Sequence, residues 1–242
     1  LVEKSQYKKK KYMRMKLLLI LLMLSASKSF SQDKVYVFYP SVARPQAVQE
    51  KITKSVQGVD VTVFGRYNDF IAKMEIEPAQ MVITKPALIE QFGGYDIKIK
   101  GVRAGKSEET YVLLSIKNGV DIAVVTAETV IGVIDIFGRN KMNAFAKQFF
   151  PTTPKLKRVT KVEDLLPLLT FNMAAAILIS EPAVQYFKST SNLNFVITKL
   201  PESLDGIVAL AVKKGGNAEN IAVALRSADK ELCSFFEVDL WK

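Results

Sequence analysis

The sequence predicts an α/β fold of two Rossmann-like, three-layer lobes joined by a two-segment hinge. Three observations predict it. Strand-like and helix-like segments alternate along most of the chain, the pattern of βαβ units with parallel strands. The stretch Ile83-Thr84-Lys85-Pro86-Ala87 is nearly repeated as Ile179-Ser180-Glu181-Pro182-Ala183. Each copy ends an apolar run in a hydroxyl, a charge and a proline. That is a buried strand stopping at a sheet edge, with the proline where a helix can begin. Finally, extended stretches at 95–103 and 111–116, and a strand near 206–212, take the chain out of one lobe and back again.

The elements follow in order. A strand at 35–39 is closed by Pro40-Ser41 and followed by a helix over 43–56, which Gly58 breaks. A strand at 59–64 leads through Gly65-Arg66-Tyr67-Asn68 to a helix over 69–76, with Asn68 as its N-cap. A strand at 80–84 precedes a helix over 86–92. Residues 121–125 read as a further strand or crossing segment. The second lobe repeats the plan: strand 130–137 and helix 141–149, strand 155–159 and helix 162–169, strand 174–179 and helix 182–187. A strand at 195–198, a strand at 206–212, a helix over 218–228 and a closing stretch at 235–241 complete the chain. Three loops correspond: Tyr39-Pro40-Ser41 with Phe137-Gly138-Arg139, Arg66-Tyr67-Asn68 with Thr160-Lys161-Val162, and Thr84-Lys85-Pro86 with Ser180-Glu181-Pro182. Residues 32–115 plus 205–242 are therefore assigned to the first lobe and 116–204 to the second.

Residues 1–31 read as a cleaved export signal, with the true start at Met13 or Met15. A basic stretch (Lys8 to Lys11, Arg14, Lys16) precedes the apolar run Leu17 to Leu24 and the small residues Ser25 to Ser31. A run this short falls well below the roughly 20 residues a membrane-spanning helix needs. Cleavage is placed after Ser31, leaving Gln32 first; the alternative is an uncleaved anchor. This segment carries +7 of the chain's net charge of +10, so the remainder is only +3. The basicity is thus mostly a targeting feature, and nucleic-acid binding is not expected. There is no histidine and a single cysteine, Cys233. An internal disulfide and histidine-based metal sites or triads are excluded, and Cys233, between Leu232 and Phe235, reads as a packed core residue.

The signal, the strand order and three local stretches resemble bacterial periplasmic solute-binding proteins of the two-crossover kind that serve ABC importers. The stretches are Val133-Ile134-Asp135 with Gly138-Arg139, Ile179-Ser180-Glu181-Pro182, and Ile207 to Val212 with Lys213. The nearest branch is the one taking phosphate- or phosphonate-like oxyanions, although Gly138-Arg139-Asn140 stands where that branch has serines and threonines. The resemblance implies a type 2 periplasmic-binding fold: a clamshell that closes on a solute by hinge motion.

Ligands of open α/β sheets bind beyond the carboxyl ends of the strands, which nominates nine residues. Ser41 follows the first strand, near a helix start that favours an anion or simply needs a cap. Arg139, beside Gly138, and the out-of-register echo Arg66 could hold a carboxylate or phosphonate in bidentate fashion; otherwise Arg139 is solvated or paired with Asp135. Asn140 completes that turn. Lys85 and Glu181 hold matching positions with opposite charge, as the two ends of a zwitterion site, a latch across the cleft, or plain surface charge. Thr84 and Ser180 beside them could donate hydrogen bonds, and Tyr39 could stack on a ligand.

The function expected is non-catalytic capture of a small polar, anionic or zwitterionic solute by a periplasmic monomer. It would use no cofactor and hand the solute to an inner-membrane ABC permease. A membrane sensor kinase or cyclase is the alternative partner. A secreted α/β enzyme has little to work with here: a Ser–Lys or carboxylate mechanism is what remains once histidine, metal clusters and a Gly-x-Ser-x-Gly elbow are absent.

Overall fold

The computed structural model describes residues 33–242 apart from Gln57, Glu202 and Leu204. The expected export signal and its cleavage point lie outside the described residues. In chain order the elements are β1 (Asp33–Phe38), α1 (Pro45–Ser55), β2 (Val59–Phe64), α2 (Tyr67–Ile76), β3 (Met81–Thr84), α3 (Pro86–Phe92) and β4 (Tyr95–Val102). Then come β5 (Tyr111–Ile116), β6 (Val130–Ile134), α4 (Arg139–Lys147), β7 (Lys155–Val159), α5 (Leu165–Thr170), β8 (Ala176–Ser180), α6 (Ala183–Thr190) and β9 (Phe195–Lys199). The chain ends with β10 (Ala209–Lys213), α7 (Glu219–Arg226), α8 (Lys230–Phe235) and β11 (Leu240–Trp241).

Two sheets result, built on one plan. The first runs β2-β1-β3-β10-β4-β11 and the second β7-β6-β8-β5-β9. In each, three strands that alternate with helices are parallel, and a strand from the other side of a crossing pairs antiparallel beside the third. Ala209 faces Thr84 in one sheet as Tyr111 faces Ser180 in the other, so the near-repeat seen in sequence occupies equivalent corners of two sheets. Because β5 pairs with β8 and β9, the first crossing lies at 103–110. That is earlier than the expected boundary at 115/116.

The strand period sorts the core. Val35 and Val37 of β1 face α1, α7 and α8, while Tyr36 and Phe38 face the opposite layer with Phe70 of α2 and Leu88 of α3. Strands buried on both faces read as continuous apolar runs, and all four residues of β3 are buried. On α1, Val48 and Ile52 are the buried pair at i, i+4. The layer holding Phe38 and Phe70 continues into the second lobe through Tyr111, Phe137, Met142 and Phe145. The lobes therefore touch: the Tyr67 ring lies so close to Gly138 that a Cβ built there would sit 3.0 Å from its Cε1. Gly138, at φ 74° and ψ 167°, holds a conformation that favours glycine.

Several local expectations are corrected. Arg66, not Asn68, is the N-cap of α2, and its side chain makes no capping bond. Residues 122–124 form a 3-10 turn rather than a strand, because the Asp121 side chain accepts from the Ala123 N–H and bends the chain. A further helix, α8, not expected from the sequence, precedes the closing stretch; its N-cap Asp229 accepts from the Leu232 N–H. Cys233 is buried there, as expected.

The two crossings bind each other. The Glu109 N–H donates to the Asp205 carbonyl and the Ile207 N–H to the Ser107 carbonyl, both at 2.8 Å, with Glu108 bridged to Gly206. Gly206 is fixed by space: a Cβ there would lie 2.5 Å from Cγ of Pro86. Since Pro86 is a rigid ring opening α3, Gly206→Ala should lose about 1–3 kcal/mol, typical of overpacking. A melting curve should fall by several degrees; an unchanged midpoint would mean the crossing has slack.

Candidate functional site

Lys85 is the residue around which the site is built. It follows β3 and, with Pro86 opening α3, its backbone is fixed in an extended conformation at the helix N-cap. The side chain turns inward and is only 3 % exposed. Its Nζ lies 3.5 Å from Glu109 Oε2 and 3.4 Å from Asp205 Oδ2, one carboxylate from each crossing. It also donates to the carbonyls of Gly206 and Ile207 at 3.3 and 3.4 Å. The faces of Tyr111 and Tyr39 lie 5.5 and 5.9 Å away, within cation–π range. Arg103 closes the other side, pairing with Glu109 and donating to the Glu237 carbonyl at 2.9 Å.

Glu237 reaches this cluster from the far end of the chain. It follows Phe236, the C-cap of α8, and has φ 54°. The Val238 N–H donates to the Cys233 carbonyl across it, so it occupies the left-handed helix-end position where glycine is usual. Its carboxylate accepts from Tyr39 Oη at 3.3 Å and from Ser180 Oγ at 3.0 Å. Ser180 ends β8, so this bond joins the lobes. Burial, reinforced by the nearby Glu109 charge, raises the Glu237 carboxyl above the usual carboxylate value against the opposing pull of Ser180, Arg103 and Lys85. Burial likewise pushes the Tyr39 hydroxyl well up, helped by Glu237 and Glu109, and the Tyr111 hydroxyl well up, helped by Asp205 and Glu109. Both phenols are therefore donors at neutral pH; Tyr111 donates to Asp205 at 3.2 Å.

Two cavities open on this floor and share Tyr39, Pro40, Ile134 and Val162. The inner one has about 40 Å³ open to water. Lys85, Glu109, Ser180 and Glu237 are on its walls, and Met142, Phe145 and Leu178 supply an apolar side from the second lobe. The outer one, about 400 Å³, lies between the loops that follow β1, β2 and β7. Ser41, Arg44 and Gly65 line it from one lobe and Thr160, Lys161 and Glu163 from the other.

The nine residues nominated from sequence separate cleanly. Tyr39 lines both cavities, Ser41 the outer, Lys85 and Ser180 the inner. The Ser41 hydroxyl accepts from the Ala43 N–H at 3.1 Å, a local turn rather than a helix cap. Thr84 is fully buried at the end of β3, its hydroxyl without a hydrogen-bond partner, and lines neither cavity. Arg66, Arg139, Asn140 and Glu181 are exposed and line neither. Asp135 takes Arg158 as its partner at 2.7 Å, not Arg139. The charge reversal between Lys85 and Glu181 is thus no facing pair: Lys85 is locked into the crossings while Glu181 points to solvent and its N–H donates to the Thr110 carbonyl. The bond that does span the lobes at this corner is Ser180 to Glu237.

Arg44, Glu109, Glu163 and Glu237 were not nominated. The matched loop Thr160-Lys161-Val162 was a usable signal for the second wall of the outer cavity. Glu237 gave none, because its place depends on the chain end folding back across the first lobe.

No protein-family model matches the chain, and neither does any curated protein. Solved structures do match in fold. An amino acid ABC transporter substrate-binding protein from Streptococcus pneumoniae, AbpA, bound to L-arginine, is 17% identical with a TM-score of 0.58, covering 88% of this chain and 96% of that one. XAC2383 from Xanthomonas citri, bound to ATP, is 11% identical at TM-score 0.57, over 88% and 91%. The VFT2 domain of Bordetella pertussis BvgS is 14% identical at TM-score 0.53, over 85% and 91%. The fold is the two-lobed Venus-flytrap, the type 2 periplasmic-binding fold, as the strand order indicates. The expected affinity with the phosphate- and phosphonate-binding branch finds no support among these structures. Among the described residues no helix is long and apolar enough to cross a membrane.

Two predictions come from the charge cluster. Lys85→Met should cost about 3–5 kcal/mol, because it strands buried Asp205 without a cation and leaves Glu109 with Arg103 alone. Glu181→Ala, on an exposed loop, should stay within about 0.5 kcal/mol; chemical denaturation of both variants compares the two. For Glu237 the sign is the reverse of an ordinary surface carboxylate. Its folded value is raised, so the ionised form costs stability above that value and the cost is relieved as pH falls through it. Glu237→Gln should therefore melt higher than the parent near pH 8, and the gap should close by about pH 4, below the usual carboxylate value.

Proposed function

We propose that this chain is a non-catalytic solute-binding protein that captures a small charged solute between its lobes, with the outer cavity as the main binding volume. The observation that carries this reading is the lining of that cavity. A space of about 400 Å³, within the usual range for small-molecule sites, is walled by loops of both lobes at the carboxyl ends of their strands. Two cations, Arg44 and Lys161, face it from opposite lobes against one acid, Glu163. The N-terminus of α1 opens on the same space at Pro45 and Gln46, adding a favourable dipole for a negative group. The solute is anionic or zwitterionic, and its negative end lies at Arg44 and Lys161.

Similarity to an importer's substrate-binding protein supports delivery to a membrane ABC permease. Similarity to the BvgS domain supports a second partner, a membrane receptor that reads the loaded state. The site chemistry is the same for both.

Thermal shift against amino acids, dicarboxylates, phosphate and polyamines tests the reading, since a ligand that binds only the folded state raises the melting point. Carboxylate-bearing solutes should shift the protein and polyamines should not. Arg44→Glu and Lys161→Glu should each weaken the best hit at least tenfold while leaving the ligand-free melting point nearly unchanged. Unchanged affinity in both would remove the outer cavity as the site.

A further inference from the structure

We infer that Glu237 is the acceptor for a cationic group, so that the solute is a zwitterion whose ammonium enters the inner cavity while its carboxylate stays in the outer one. This rests on the reading above and names the solute class for the same site.

The argument begins with charge. The cluster holds two cations, buried Lys85 and half-buried Arg103, and three carboxylates, buried Glu109 and Asp205 and half-buried Glu237. Lys85 is spent on Glu109 and Asp205, and the guanidinium of Arg103 on Glu109 and the Glu237 carbonyl. Among the described residues no Lys or Arg nitrogen pairs with the Glu237 carboxylate, which is met only by two neutral hydroxyls. One negative charge is left over, and it is on the wall of a cavity.

A second group on that wall also lacks a donor. Glu109 is 2 % exposed. Its Oε2, although 3.5 Å from Lys85, has no hydrogen-bond partner. Buried polar atoms are rarely left so. An ammonium brings one positive charge and three N–H donors, which is what the leftover charge and the unfilled acceptors ask for. About 40 Å³ admits an ammonium and the methylene that carries it, given that one water needs roughly 10–15 Å³ on the same measure. Met142, Phe145 and Leu178 then pack the methylene side.

The backbone agrees. Glu237 stands at the left-handed position that ends α8, where glycine is the unstrained choice and other residues cost of order 1 kcal/mol. A glutamate there is a poor choice for folding, so its value is in the side chain.

The test uses isothermal titration of the full chain with straight-chain ω-amino acids, with fatty acids of matched length, and with alkylamines. The parent should bind ω-amino acids at least tenfold more tightly than the matched fatty acids. Glu237→Gln, which keeps an acceptor for Tyr39 and Ser180, should abolish that preference, and so should Glu237→Gly, which suits the helix end and protects against a folding artefact. Arg44→Glu should weaken the ω-amino acids at least tenfold, and alkylamines, which lack the carboxylate, should bind the parent far more weakly than the ω-amino acids of matched length. If the parent binds ω-amino acids and both Glu237 variants keep the full preference, the ammonium assignment is wrong and the outer-cavity reading survives. If the parent binds fatty acids as well as ω-amino acids, the assignment is equally wrong. If nothing in the series binds, the ammonium assignment is wrong, and the outer-cavity reading is decided by the dicarboxylates and phosphate of the thermal-shift screen.

Discussion

The structure depends on one buried cation. Lys85 ties the last corner of the first sheet's parallel strands to both crossings at once, through Glu109 on the outgoing segment and Asp205 on the returning one. Without it, two carboxylates would face each other in a space that excludes water, and the two-segment link would have no electrostatic reason to stay closed. With it, the crossings pair as a short antiparallel ribbon, and the floor of the cleft has a fixed shape. Every feature of the site is referred to that floor: Tyr39 and Tyr111 as its aromatic walls, Arg103 as the outer clamp, Glu237 as the carboxylate left over.

The same corner of the second sheet is used differently. Ser180 and Glu181 stand where Thr84 and Lys85 stand in the first, under the same strand pairing. In the first copy the charge turns inward to the crossings. In the second the charge lies in solvent and the hydroxyl bonds Glu237 across the cleft. The two copies of the repeated corner thus differ in use: one ties the first sheet to the crossings, the other makes a hydrogen bond between the lobes.

Most of the architecture was legible because it is periodic. The alternation of apolar runs and helical segments, and the prolines after β3 and β8, are local signals, and they placed three matched units in each lobe. The site was legible only where it too was local. Tyr39 and Ser41 sit directly after β1, and the loop after β7 was paired correctly by its order in the repeat. Lys85 illustrates the limit: a lysine after a strand reads as an edge charge, and only the two crossings, nearly a hundred residues apart in the chain, reveal its two carboxylates. Arg66 and Arg139 show the converse error. Their loops are at the right edge of the sheets, yet the helix geometry leaves both side chains in solvent. Glu237 had no local signature at all, since its position follows from the end of α8 packing back on the first lobe.

The lobes meet along an apolar seam from Phe38 and Tyr67 to Phe137 and Phe145, so the described arrangement is a closed one, with room inside for a solute. Under the proposed function, solute entry requires rotation about the paired crossings, with the seam and the Ser180–Glu237 bond opening together. The most direct measurement is the distance between spin labels on Lys54→Cys of α1 and Lys147→Cys of α4, with Cys233 replaced by serine, taken with and without the best-binding solute. The account predicts a broad or longer distribution without solute that contracts to a single shorter distance with it. A distribution that saturating solute leaves unchanged would contradict a clamshell hinged at Lys85.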